Sequence, residues 1–204
     1  MTLFWLVAAA RGEVPPPDYR DALMEAAAAQ VAVLARDEGL GAARAFAQGW
    51  ERTVGEDARV AYEVGLAARL GGEPRLARSE LDRALELDPT LVTARYDRGE
   101  MRLTEGDLPG AAADFEAVVA ARPDHWAGHF RLADLAARAR DVERFEAHLL
   151  DALRNGFAVR DVAGDPRWHD YLADPELGPV LRRLVVVYQD EAVLEALEKP
   201  VETP

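Results

Sequence analysis

The apolar positions of this chain fall in short helical stripes that return every 34 residues. Gly65 returns as Gly99, Ala77 as Ala111, Leu81 as Phe115 and Pro89 as Pro123. Small residues in fixed places, with a proline closing each copy, mark a stacked array of two-helix units. Within a copy, apolar residues three and four apart line one helix face. Glycine or proline then punctuates the chain between helices.

The pattern predicts helices over Tyr19–Arg36, with Asp18 as N-cap, and over Leu40–Thr53, carrying Phe46 and Trp50. Together they form a degenerate first copy, 18–57. The copy at 58–91 predicts Ala58–Leu70, the turn Gly71-Gly72, and Pro74–Leu87. There Asp88-Pro89 stops the helix, since proline cannot continue it. The copy at 92–125 predicts Leu91–Thr104, the turn Glu105-Gly106-Asp107, and Leu108–Ala121. A looser copy, 126–157, has Ala133 for Gly99, Phe145 for Ala111, Leu149 for Phe115 and Ala152 for Val118. It ends at the C-cap signal Asn155-Gly156.

The small residues have a steric reason. Gly65, Gly99 and Ala133 face Ala77 and Ala111 across a pair, where a larger side chain would force the backbones apart. Leu81, Phe115 and Leu149 fill the space between pairs. One pair alone cannot cover its apolar face, so stability must come from stacking. The repeat stops after Phe157. Asp165-Pro166 and Asp174-Pro175 each predict an N-cap followed by a first-turn proline. Leu181, Leu184, Val185 and Tyr188 then form a helical stripe. Residues 158–204 are expected to cap the last pair, with Lys199–Pro204 frayed. The fold class is all-α, an α-solenoid of about four helix pairs.

Composition narrows the function. The chain is 50% hydrophobic and 30% charged over 204 residues, which excludes general disorder and allows a real core. Its formal net charge of −13 repels phosphate backbones and argues against nucleic acid. With 0 Cys it has neither a disulfide framework nor a thiolate metal site. No stretch reaches the roughly 20 apolar residues needed to span a bilayer. Met1–Ala10 is apolar and leads into a Pro15–Pro17 linker. It reads either as a short signal peptide cut after Ala10 or as a segment packed on the array. No Lys or Arg precedes the run, which slightly favours the cytoplasm over export and leaves the compartment open.

Gly65, Ala77, Ala84 and Pro89, and again Gly99, Ala111, Phe115 and Pro123, resemble the tetratricopeptide repeat family. The resemblance is strongest over 58–123 and extends more loosely to 157 and back to 18. It implies a right-handed superhelix whose inner groove, lined by the first helix of each pair (the A helix), holds a peptide or protein. The string from Gly156 to Leu184 is similar to tails that close bacterial arrays of this family. Family members that clamp the carboxylate tail of chaperones use Lys and Asn on the groove. The single Asn here, Asn155, lies off the groove, so that adaptor role is discounted.

Arg59, Tyr62, Leu66 and Arg69 share one side of their helix, at spacings of three and four. Tyr96, Glu100 and Leu103 follow on the next copy, then Phe130 and Asp134. Tyr62, Tyr96 and Phe130 form an aromatic ladder suited to anchoring a partner, or to packing between A helices. Arg95, Arg98 and Arg102 are expected to meet the second helix of their pair (the B helix), with Asp114 a partner for Arg98. His125 and His129 have the i, i+4 spacing of a zinc pair, with His148 as a third ligand, but without an HExxH motif they read as ordinary histidines. No phosphate loop, nucleophile elbow or isolated carboxylate pair points to catalysis. The chain is therefore read as a non-enzymatic scaffold without cofactor or metal, serving a protein or peptide partner of basic character. Its oligomeric state is left open. The alternative is an exported structural subunit of an envelope assembly, its groove filled by its own N-terminal segment.

Overall fold

A computed structural model describes residues 17–162 and 164–198. The expectations for Met1–Ala10 and Lys199–Pro204 fall outside these residues. The described chain is all-α and packs as two compact units that divide between Met101 and Arg102.

In the first unit, α1 (Pro17–Asp37) and α2 (Leu40–Val54) form one pair, and α3 (Ala58–Leu70) and α4 (Pro74–Leu87) the next; α5 (Val92–Glu105) begins in this unit. Asp18 lies inside α1 rather than capping it, because proline suits the first helical position. Leu23, Met24, Val31, Ala43, Ala47 and Trp50 pack with Val60 and Val64 of α3. Ala77, Leu81, Ala84 and Leu85 of α4 pack with Ala61 and Ala68 of α3 and Ala94 and Met101 of α5. Leu81 thus sits in a core that joins its own pair to α5 of the next. Its full burial contributes about 1.5–3 kcal/mol.

The close approach of α3 to α4 is visible at Gly65. A Cβ there would lie 3.3 Å from the Ala77 carbonyl oxygen, Glu80 Cβ and Leu81 Cγ. Gly72 turns the chain with φ +76°, a conformation that favours glycine.

The second unit holds α6 (Leu108–Ala121), α7 (Trp126–Arg138), α8 (Val142–Arg154), a 3-10 turn at Val159–Val162, α9 (Pro166–Ala173), α10 (Leu177–Tyr188) and α11 (Glu191–Glu198). Asp107, His125, Asp141 and Asp165 each cap the helix that follows by accepting from a backbone N–H. One core unites Phe130, Phe145, Leu149 and Phe157 with Trp168, Leu181, Leu184, Val185 and Leu197. The tail therefore continues the packing of the α7–α8 pair. Asp174-Pro175 behaves differently from expectation. Asp174 accepts from the Glu176 and Leu177 amides, so Pro175 sits in the turn and α10 starts at Leu177. Tyr188 stands at the edge of its stripe, 36% exposed.

Two substitutions should move stability in opposite directions. Gly65→Val overfills the α3–α4 contact and should cost about 1–3 kcal/mol. Gly49→Ala, in α2 with nothing within 4 Å of its Cβ position, should add about 0.5–1 kcal/mol. Thermal melts followed by circular dichroism check both. A neutral Gly65→Val would contradict the close packing.

Candidate functional site

In the first unit, the A-helix face is tied together by carboxylates. Arg59 of α3 pairs with its own N-cap Asp57 at 2.9 Å and with Asp21 of α1 at 3.4 Å. Burial pushes Asp57 up, but its bonds from the Arg59 side chain and backbone hold it below the usual carboxylate value. The Tyr62 hydroxyl donates to Asp97 of α5 at 2.9 Å, and Arg69 lies 3.7 Å from the same carboxylate. Asp97 thus bridges consecutive A helices. Burial, then the Asp97 charge, raises the Tyr62 pKa, so the hydroxyl remains a donor. The sequence reading missed Asp97. One repeat plus one residue beyond Tyr62 is the position an adjacent A helix would present, and that offset was the available signal.

Leu66 lines a cleft between α1 and α3 of about 360 Å³, with Ala32, Ala35, Leu40 and Leu70 among its walls. Tyr96, Glu100 and Leu103 are half-buried along α5. A second cavity, about 480 Å³, is lined by Asp21, Glu56, Asp57, Arg59 and Asp88, a strongly acidic setting.

Phe130 and Asp134 are placed differently from the open ladder anticipated for them. Phe130 is 8% exposed, stacked on Trp168 of α9 with centroids 5.4 Å apart and tilted against Phe157 at 4.5 Å. Asp134 is 1% exposed, held by Arg138 at 2.8 Å, Arg167 at 3.2 Å and the Tyr171 hydroxyl at 2.9 Å. The A-helix face of α7 is therefore taken by the chain's own tail. The sequence pointed to a capping tail over 158–204, but Arg167 and Tyr171 carry no repeat signal that would show which face it takes.

The arginines are structural. Arg95 bonds the Pro89 carbonyl, Arg98 reaches Asp82 at 3.0 Å, and Arg102 reaches buried Asp114 at 2.8 Å. Asp114 thus pairs with Arg102, one helical turn beyond Arg98.

The histidines also differ from a metal pair. His125 accepts from the Gly128 amide at 3.0 Å and caps α7. His129 and His148 place their Nδ1 atoms 3.2 Å apart, and His129 Nε2 meets the Pro123 carbonyl at 3.1 Å. A carbonyl only accepts, so the neutral His129 carries its proton on Nε2. Its bare Nδ1 then accepts from His148 Nδ1–H. No group of three potential ligands is arranged for a metal among the described residues. Nor is any described helix long and apolar enough to cross a membrane.

Burial, then the His129 charge, lowers the His148 pKa. The folded chain therefore binds fewer protons here than the unfolded chain. The stabilising share of His148 is complete above the ordinary imidazole value of about 6.5 and is lost as pH falls below it. The thermal midpoint should drop from pH 7.5 to 5.5, and less steeply in His148→Gln. Equal slopes in the two proteins would contradict the assignment.

A family model of the tetratricopeptide repeat matches residues 71–121 and 96–156. No curated protein matches the chain by sequence. Among solved structures, one of MamA, residues 41 to the end, from Desulfovibrio magneticus RS-1 is 20% identical. The match covers 84% of this chain and 89% of that one, with a TM-score of 0.57. Another MamA crystal structure is 18% identical over 61% of this chain and 73% of its own, with a TM-score of 0.54. YrrB, described as a TPR protein with an unusual peptide-binding site, is 25% identical, with a TM-score of 0.51. That match covers 61% of this chain and 64% of YrrB, just under two thirds of its length. Repeat period, paired helices and family match agree that residues 71–156 carry tetratricopeptide repeats, and the structural likeness shows the same fold.

Proposed function

We propose that this protein is a non-catalytic scaffold that holds a segment of a partner protein along the A helices of its first unit. Tetratricopeptide repeats are protein-interaction modules, and YrrB, of the same fold, is described as having a peptide-binding site. The observation that carries the reading is the contrast between the two units. Tyr62, Leu66, Arg69 and Tyr96 remain accessible on α3 and α5, whereas Phe130 and Asp134 on α7 are taken by α9. A face that the chain covers for itself in one unit, and that stays partly exposed among the described residues of the other, is where a partner fits. Arg59 and Arg69 are held by Asp21, Asp57 and Asp97, so their role is to position that face. The net charge of −13 supports a partner of basic character.

The test is affinity capture from the source organism. Wild type is compared with a Tyr62→Ala, Tyr96→Ala variant after circular dichroism shows both folded. A protein retained by wild type should be lost, or weakened by at least about tenfold, in the variant. A protein retained equally by both would place the binding surface elsewhere.

A further inference from the structure

One carboxylate on the A-helix face lacks the partner that its neighbours have. Asp57, Asp97 and Asp134 each meet an arginine. Glu63 is half-buried on α3, yet it makes no hydrogen bond or ion pair with another described residue. Burial, then the nearby Asp97 charge, raises its pKa, as expected for a carboxylate that no cation relieves.

Glu63 lies on the wall of the cleft between α1 and α3. Leu66 and Leu70 continue the same face of α3 at helical spacing, and Leu70 is 77% exposed, the most exposed large apolar residue among those described. The opposite wall offers the small side chains of Ala32 and Ala35, and Leu40 and Gly71 help to close the space. Arg36 stands at the rim but is already held by Asp37 at 2.7 Å. A cleft of about 360 Å³ accommodates one large apolar side chain. The site therefore presents an apolar socket with an unmatched negative charge beside it.

We propose that this cleft takes a large apolar side chain from a partner segment while Glu63 pairs with a lysine or arginine close by in the same segment. The second unit contains a contact of the same kind, made by the chain with itself. There α9 lays Trp168 on Phe130 and gives Arg167 to Asp134. A basic, apolar segment meeting α3 repeats that chemistry from outside. The inference rests on the A-helix face being a binding surface and adds which chemistry is read there.

The test is selection of phage-displayed random twelve-residue peptides on the full chain, followed by anisotropy titration of the enriched peptides. They should carry Lys or Arg within about four residues of Leu, Phe or Trp. Glu63→Gln, which keeps the size and shape of a half-buried side chain and so stays foldable, should weaken them roughly tenfold, the scale of one charge-assisted hydrogen bond. Leu70→Ser should weaken them as well, and added salt should weaken wild type more than Glu63→Gln. Failure to enrich any such peptide, or equal binding by wild type and both variants, overturns the proposal. Peptides indifferent to Glu63→Gln but lost with Tyr96→Ala would overturn it too, while leaving the A-helix face as a binding surface.

Discussion

A helix pair of this kind has an apolar face that it cannot cover by itself, and the structure answers that need at every step. In the first unit the α1–α2 core includes Val60 and Val64 from the next pair, and Leu81 of α4 packs among residues of α3 and α5. Alanine and glycine make the spacing possible. Ala43, Ala77 and Ala111 are all fully buried, and Gly65 brings α3 against α4 with no room for a branched side chain. Where the repeats stop, the same demand recruits α9, α10 and α11, which continue the core of the α7–α8 pair through Trp168, Leu181 and Leu197.

This demand also decides which surface the chain covers for itself. On α7 the tail occupies the A-helix face, with aromatic stacking on Phe130 and an arginine and a tyrosine on Asp134. On α3 the face keeps its bridging pairs, Tyr62 and Arg69 to Asp97, and beside them an apolar cleft edged by Glu63. The bridges tie α3 to α5, and the cleft lies on the other side of α3, against α1. A rigid face with a few apolar and charged anchors is the arrangement in which a small number of contacts carries most of the binding energy.

The helices were legible because they depend on local rules. The 34-residue period, the small residues at Gly65 and Ala77, and the stops at Asp88-Pro89 and Asn155-Gly156 set their order and most of their ends. The site was less legible because exposure is not periodic. Phe130 occupies the ladder position of Tyr62 and Tyr96, but whether it faces solvent depends on a tail that obeys no repeat. Asp97 and Glu63 were missed for a related reason. Their significance comes from neighbours on other helices, Tyr62 and Arg69 for the one and the walls of the α1–α3 cleft for the other.

The central claim is that the α3 face meets a partner protein. The most direct measurement is photo-crosslinking in the source organism, with a photoreactive amino acid replacing Leu66 in one version of the chain and exposed Glu86 of α4 in another. The account predicts a discrete adduct with a second protein from position 66 and none of that mass from position 86. Adducts from 86 with none from 66 would contradict it and move the partner to the B helices.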